Sequence, residues 1–112
     1  MKRVYIKTKE DLDTLNQMSL DSPQVIFKHS TRCSISAMAL NRVESGNLDI
    51  EIHVLDVISD RGLSNMVSDK FNVMHQSPQI LIIYKGRSIF DTSHFEITSS
   101  TVERQLSIIE PI

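Results

Sequence analysis

The sequence contains only one cysteine, three glycines, three prolines and no tryptophan in 112 residues. The single Cys33 cannot form an internal disulfide, which excludes the disulfide framework of small secreted domains. No apolar run approaches the roughly 18 residues of a membrane span, and the first residues lack the roughly 7–15-residue apolar stretch of a signal peptide. We therefore expect a cytoplasmic protein that does not bind membranes.

The chain also lacks a strong excess of either charge. Twelve Lys and Arg residues against 14 Asp and Glu residues give a formal net charge of −2, and the cations are scattered. Nucleic acid is therefore not an expected partner. Hydrophobic residues make up 40% and charged residues 23% of the chain, which is typical of a globular protein. This length fits a single domain, 1–112, with one sizeable core.

Hydrophobic periodicity predicts an alternation of strands and helices along the chain. Strands are predicted at 3–6, 24–30, 49–58, 80–85 and 88–95, and helices at 8–19, 31–44, 59–73 and from about 98–100 onward. The order βαβαβαββα, with helices crossing over between parallel strands, predicts an α/β fold. We expect one central mixed sheet with helices on both faces.

Local signals predict where helices begin and which faces they bury. Thr8 and Asp11 have the spacing of a capping box, and Ser100 and Glu103 suggest another at the last helix. The second helix is predicted to bury an apolar stripe made of Ile35, Met38, Ala39 and Val43.

Cys33 lies where the second strand meets the second helix. The thiolate is the reactive form of cysteine, and the first turn of a helix favours negative charge. Arg32 adds a positive charge, and the hydroxyls of Thr31, Ser34 and Ser36 can donate hydrogen bonds to the sulfur. These features predict a reactive, catalytic Cys33. The alternative is an inert core thiol, since cysteine is among the most often buried residue types.

Ser36 occupies the position where a Cys-x-x-Cys protein carries its second thiol. That second thiol resolves the mixed disulfide formed with a target, and serine cannot do so. Cys33 alone can take a small thiol from a mixed disulfide and must then be released by an external thiol. This exchange needs no metal and no bound organic cofactor. His29, His53 and His75 have no converging ligands for zinc, so no metal site is expected.

Three motifs together resemble a known family: HSTRCSIS at 29–36, SPQ at 77–79 and SHFEIT at 93–98. With the three motifs in this order, the chain is similar over nearly its whole length to thioredoxin-fold proteins. It is more closely similar to the monothiol bacilliredoxins of the YtxJ family. The departures are Arg32, Ser34, where the family often has proline, and Phe95, where tryptophan is common. The resemblance implies a thioredoxin fold, bacillithiol as the low-molecular-weight thiol co-substrate, and S-thiolated cytosolic proteins as partners of a monomer.

The resemblance also implies a substrate-binding edge at Ser77, Pro78 and Gln79. The thioredoxin fold places a cis-proline beside the reactive sulfur, so that the preceding residue presents its backbone to an extended substrate. The alternative is that Pro78 only begins a strand. His94 is expected either to hydrogen-bond a carboxylate or sugar hydroxyl of bacillithiol or to cap the following turn.

Other functions fit parts of the pattern. A monothiol glutaredoxin-like iron–sulfur carrier has Cys-Gly-Phe-Ser, but also a Gly-Gly turn where this chain has Thr92, Ser93 and His94. A non-catalytic thioredoxin-like binding module would use Ser77–Gln79 as a docking edge and would not need Cys33. An arsenate reductase fits less well, because the sequence shows no evident basic cluster for the oxyanion.

Overall fold

The computed structural model describes residues 1–109 and confirms the predicted order of elements. The elements are β1 (Lys2–Tyr5), α1 (Lys9–Met18), β2 (Gln24–His29), α2 (Ser34–Glu44), β3 (Glu51–Asp56), α3 (Arg61–Phe71), β4 (Gln79–Tyr84), β5 (Arg87–Ser93), a short 3-10 helix η1 (His94–Glu96) and α4 (Ser99–Ile109). Within residues 1–109, no helix is long and apolar enough to cross a membrane.

The five strands form one mixed sheet in the order β1-β3-β2-β4-β5. β3 is parallel to both β1 and β2, whereas β4 runs antiparallel to β2 and to β5. β2 therefore occupies the centre of the sheet, and its carboxyl end at His29 leads directly into the segment that contains Cys33. In open α/β sheets this end of a central strand is the usual place for a functional site.

Alternating side chains of the strands separate two hydrophobic cores, one on each face of the sheet. Val25 and Phe27 of β2 face the core beneath α2 and α4. Ile26 faces the other core, which packs against α1 and α3. This arrangement confirms the predicted helices on both faces.

The buried face of α2 differs from the prediction. Its buried residues are Ser36, Ala39, Leu40 and Val43. Ile35 and Met38 are 42% and 57% exposed, so the prediction that they face the core is wrong. The 3.6-residue period is kept but rotated by one position, because Ser36 rather than Ile35 begins the inward stripe.

The two predicted capping boxes have different outcomes. Asp11 N donates to Thr8 Oγ1 at 3.0 Å and Thr8 N donates to Asp11 Oδ2 at 3.1 Å, which confirms the first box. The second box, at Ser100, is wrong because α4 begins at Ser99. Thr98 caps this helix instead, accepting a 3.1 Å hydrogen bond from Thr101 N.

Gly46, just after α2, provides a test of how closely α2 and α4 pack. A Cβ added there would overlap the Ser99 Cβ and lie 2.7 Å from its Oγ. We expect Gly46→Ala to lower the free energy of unfolding by about 1–3 kcal/mol, because the helices must move apart. Gly62→Ala is the matched control: its Cβ meets nothing within 4 Å, and it should stabilise α3 by at most about 1 kcal/mol. Equal urea midpoints for the two variants would contradict this packing.

Candidate active site

Cys33 lies at the end of a tight turn that joins β2 to α2. Its amide donates to Ser30 O at 3.1 Å, and its carbonyl accepts the first hydrogen bond of the helix from Ala37 N, also at 3.1 Å. Cys33 is therefore the N-cap residue of α2, next to first-turn amides that have no carbonyl partner within the helix. Its side chain is half-buried and borders a pocket, so the thiol is not sealed within the core.

Ser36 lies beneath this turn and stabilises it through hydrogen bonds. It is fully buried, and its Oγ accepts a 3.0 Å hydrogen bond from Ser30 N while lying 2.7 Å from His29 Nδ1. Burial, together with the positive charge of Arg3, lowers the pKa of His29, which favours a neutral ring at this contact. The expectation that Ser36 donates to the sulfur is wrong, because its hydroxyl joins the strand end to the helix instead.

The other predicted residues of the turn are exposed. Thr31 Oγ1 donates to Asp56 Oδ2 at 3.5 Å, so this hydroxyl contacts the end of β3 rather than Cys33. Arg32 and Ser34 lie on either side of Cys33 with exposed side chains. The positive charge of Arg32 and the hydroxyl of Ser34 were predicted to act on the sulfur and on a bound substrate, and these roles stay predictions.

A pocket of about 440 Å³ lies beside Cys33, within the size range of small-ligand sites. Ser77 borders this pocket too, and the Ser77–Pro78 peptide bond is cis, as expected. Among the described residues, Ser77 Oγ is buried without a hydrogen-bond partner. The residues that line the pocket are Ser30, Cys33, Val57, Ile58, Arg61, Ser64, Asn65, His75 and Ser77.

Gln79 and His94 do not line this pocket. Gln79 is fully buried; its Nε2 donates to Met74 O at 3.0 Å and its Oε1 accepts from Gln76 N at 3.3 Å. Its side chain therefore positions the preceding loop, contrary to the expected contact with substrate. His94 is exposed beside the cis-proline, and its amide donates to Pro78 O at 3.2 Å. Its role in binding stays a prediction.

Lys28 lies fully buried on β2. No role was predicted for this residue from the sequence. Its Nζ has three partners: Ser64 O at 3.1 Å, Ser68 Oγ at 2.7 Å and His75 Nδ1 at 3.1 Å. An ammonium group has three N–H donors, so all of them are matched. Ser64 and His75 also line the pocket, which places Lys28 directly behind its wall.

The charges around the pocket are predominantly positive. Burial lowers the pKa of Lys28 to about 8, so the ammonium form predominates at pH 7. Burial and the nearby charges of Lys28 and Arg61 lower the pKa of His75, which favours its neutral form. None of the nine described lining residues is acidic. The sequence shows no evident basic cluster, but the fold brings residues 28, 61 and 75 near one another.

These features define a thioredoxin-fold protein with one accessible thiol, and solved structures agree on the fold. A protein described as having a thioredoxin fold matches with a TM-score of 0.83 and 24% identity over 91% of each chain. A mutant thioredoxin from Halobacterium salinarum matches with a TM-score of 0.77 and 12% identity, covering 99% of this chain and 93% of that one. Thioredoxin from Fasciola hepatica matches with a TM-score of 0.69 and 16% identity, covering 96% of this chain and 98% of that one.

The family model for monothiol bacilliredoxin BrxC matches residues 4–102, and the chain belongs to this family. The matched range includes the Cys33 turn, the cis-proline and His94. Family and fold together support a thiol redox function for the site.

Ser36→Ala tests whether Ser36 holds the turn. We expect this variant to lower the free energy of unfolding by about 1–3 kcal/mol, because the Ser30 amide loses its acceptor and His29 Nδ1 loses its partner. Ser34→Ala is the matched control: its side chain is exposed, and a change within about 0.5 kcal/mol is expected. Urea unfolding monitored by circular dichroism measures both, and an unchanged Ser36→Ala midpoint would contradict a structural role for the hydroxyl.

The buried Lys28 predicts a rise in stability at alkaline pH. Its pKa is about 8 in the folded protein against 10.5 for an ordinary lysine, so the unfolded chain binds more protons between these values. Stability should therefore rise by about 1–3 kcal/mol from pH 8 to 10.5, and the penalty should stay constant below pH 8. Urea unfolding across this range measures the effect. Lys28→Met should remove the rise, and identical slopes for both proteins would contradict a buried ammonium group.

Proposed function

We propose that this protein is a monothiol thiol–disulfide exchange enzyme that removes bacillithiol from mixed disulfides on cytosolic proteins. The observation that carries this proposal is the accessible Cys33 at the start of α2, above a buried Ser36 in the place of a resolving thiol. Membership of the monothiol bacilliredoxin family supports bacillithiol as the small thiol.

In the first step, the Cys33 thiolate attacks the bacillithiol sulfur of the mixed disulfide. A new S–S bond forms between Cys33 and bacillithiol as the original S–S bond breaks. The target sulfur leaves with the bonding electron pair as a thiolate and can then take a proton from water. The target is thereby restored, and Cys33 carries the small thiol.

In the second step, a thiol from solution must release Cys33, because the hydroxyl of Ser36 cannot attack a disulfide. A second bacillithiol thiolate attacks the Cys33-linked bacillithiol, and Cys33 leaves as a thiolate. The product is the symmetrical disulfide of bacillithiol, which contains both small thiols. Bacillithiol is a co-substrate in this cycle, and neither step requires a bound cofactor.

The surroundings of Cys33 suit both steps. The pocket of about 440 Å³ gives a small thiol access to the sulfur, and Ser77 at its border can present its backbone to an extended target. Cys33 is the N-cap of α2, so the sulfur that attacks in the first step and leaves in the second is carried next to the free first-turn amides of this helix. We place this activity in the cytoplasm, where thiols are kept reduced, and assign it to the monomer.

Intact-mass spectrometry tests the proposal directly. The pure protein is incubated in turn with the symmetrical disulfides of bacillithiol, glutathione and coenzyme A. We expect one bacillithiol per chain, faster uptake than of the other two thiols, and no uptake by Cys33→Ser. With a bacillithiolated protein as substrate, one equivalent should be removed without free bacillithiol, and repeated turnover should require it.

Two outcomes would favour the alternative functions. A Cys33 that takes up none of the three thiols and alkylates no faster than free cysteine, with partner binding unchanged in Cys33→Ser, would indicate a binding module. A coloured purified protein that loses its absorbance in Cys33→Ser would indicate an iron–sulfur carrier.

A further inference from the structure

We propose that the pocket between the Cys33 turn and α3 binds a carboxylate of the small thiol. Arg61 and the Nε2–H of His75 are the ligands, and Lys28 is a positioning residue behind His75. This inference rests on the proposed function and adds the substrate chemistry that the site selects. It places the carboxylate on the α3 side of Cys33 rather than at His94.

The first argument is the direction of the hydrogen bonds. The ammonium group of Lys28 can only donate, so His75 Nδ1, at 3.1 Å, must accept. The ring proton of a neutral His75 then lies on Nε2, at the opposite edge of the imidazole. His75 lines the pocket and its Nδ1 contacts Lys28, so Nε2–H is the ring donor that is left for a ligand. Such a donor suits an anion, since hydrogen bonds to ionised groups are the stronger ones.

The second argument is the contrast with the surface on the β3 side of the turn. A pocket of about 300 Å³ next to Thr31 is lined by the carboxylates of Asp56 and Asp60 and by one ammonium group, that of Lys7, so its negative charges outnumber its positive one. The pocket beside Cys33 has Arg61 and His75 and no acidic residue among its described lining. A negatively charged thiol approaching Cys33 is therefore attracted to the α3 side.

The third argument is the composition of the pocket wall next to the sulfur. Ser77 and Cys33 line the same pocket, together with the apolar side chains of Val57 and Ile58. The carbon atoms of a small thiol attached to Cys33 can pack against this apolar wall while its carboxylate contacts Arg61.

Capping of Cys33 by three small disulfides of different charge tests this inference. The probes are dithiodipropionate, which is anionic, hydroxyethyl disulfide, which is neutral, and cystamine, which is cationic. In each case Cys33 forms a disulfide with one half of the probe, and the other half leaves as a thiolate. Rates are measured by intact mass at pH 7 and divided by those of N-acetylcysteinamide, which removes the intrinsic reactivity of each probe.

We expect the normalised rate to be about 5–10-fold higher for the anionic than for the neutral probe, and lowest for the cationic one. Arg61→Gln should lower the anionic rate by about 3–10-fold and change the neutral rate by less than about twofold. Lys70→Gln, an exposed cation at the other end of α3, is the matched control and should change neither rate. High salt should reduce the preference, because it screens charges beyond about 10 Å at 0.1 M.

Lys28→Met distinguishes a positioning role from a merely structural one. It should reduce the ratio of anionic to neutral rates, whereas a general loss of structure would lower both rates together. If this variant does not fold, Arg61→Gln and His75→Gln decide the question through the same ratio. Equal normalised rates for all three probes, or equal loss of both rates in Arg61→Gln, would overturn the carboxylate pocket alone. Absence of capping by any disulfide would overturn the proposed function as well.

Discussion

The hydrogen bond from the Ser30 amide to Ser36 Oγ joins the end of the central strand to the first turn of α2. Cys33 lies between these two residues, so the bond fixes the path of the segment that carries the sulfur. The contact of Ser36 with His29 extends this link into the sheet. Ser36 is fully buried, so the loss of its hydroxyl removes the acceptor of the Ser30 amide and the partner of His29 Nδ1. The hydroxyl of Ser36 therefore occupies the place of a second thiol, and it also fixes the segment that carries the thiol of Cys33.

A buried charge is tolerated beside this turn because the fold surrounds it with acceptors. An unpaired ammonium in a protein interior is strongly destabilising, and satisfied hydrogen bonds offset much of that penalty. The three acceptors of Lys28 come from α3 and from the loop before β4, so the side chain ties both to the central strand. Lys28 therefore fixes the segments that form the wall of the pocket. Part of the positive charge near the pocket comes from this buried side chain rather than from exposed ones.

The order of elements could be predicted because it depends on local signals. Strands with strong apolar runs and a capping box at Thr8 each leave a pattern within a few residues. The cis form of the Ser77–Pro78 bond was expected from the resemblance to thioredoxin-fold proteins, because Pro78 taken alone equally fits the start of a strand. The exposure of Ile35 and Met38 could not be predicted, since apolar periodicity does not show which face of a helix meets the core when a small polar residue such as Ser36 begins the buried stripe.

The basic wall of the pocket left a weaker signal. A lysine within an apolar strand predicted to be covered on both faces could have suggested a buried cation at position 28. Its partners could not be identified, because Ser64 and Ser68 lie 36 and 40 residues away in the chain and meet it only when α3 packs on the sheet. Arg61 and His75 likewise form a cluster only in three dimensions.

Serine at position 36 also means that this protein cannot store an electron pair as an internal dithiol. A protein with two active-site thiols stores an electron pair as a dithiol and has a midpoint potential of its own. A lone Cys33 has no intramolecular couple, so its oxidation state follows the redox couple of the thiols around it. In the proposed cycle, the fraction of chains that carry a small thiol on Cys33 would therefore report the balance of oxidised and reduced small thiol in the surrounding solution.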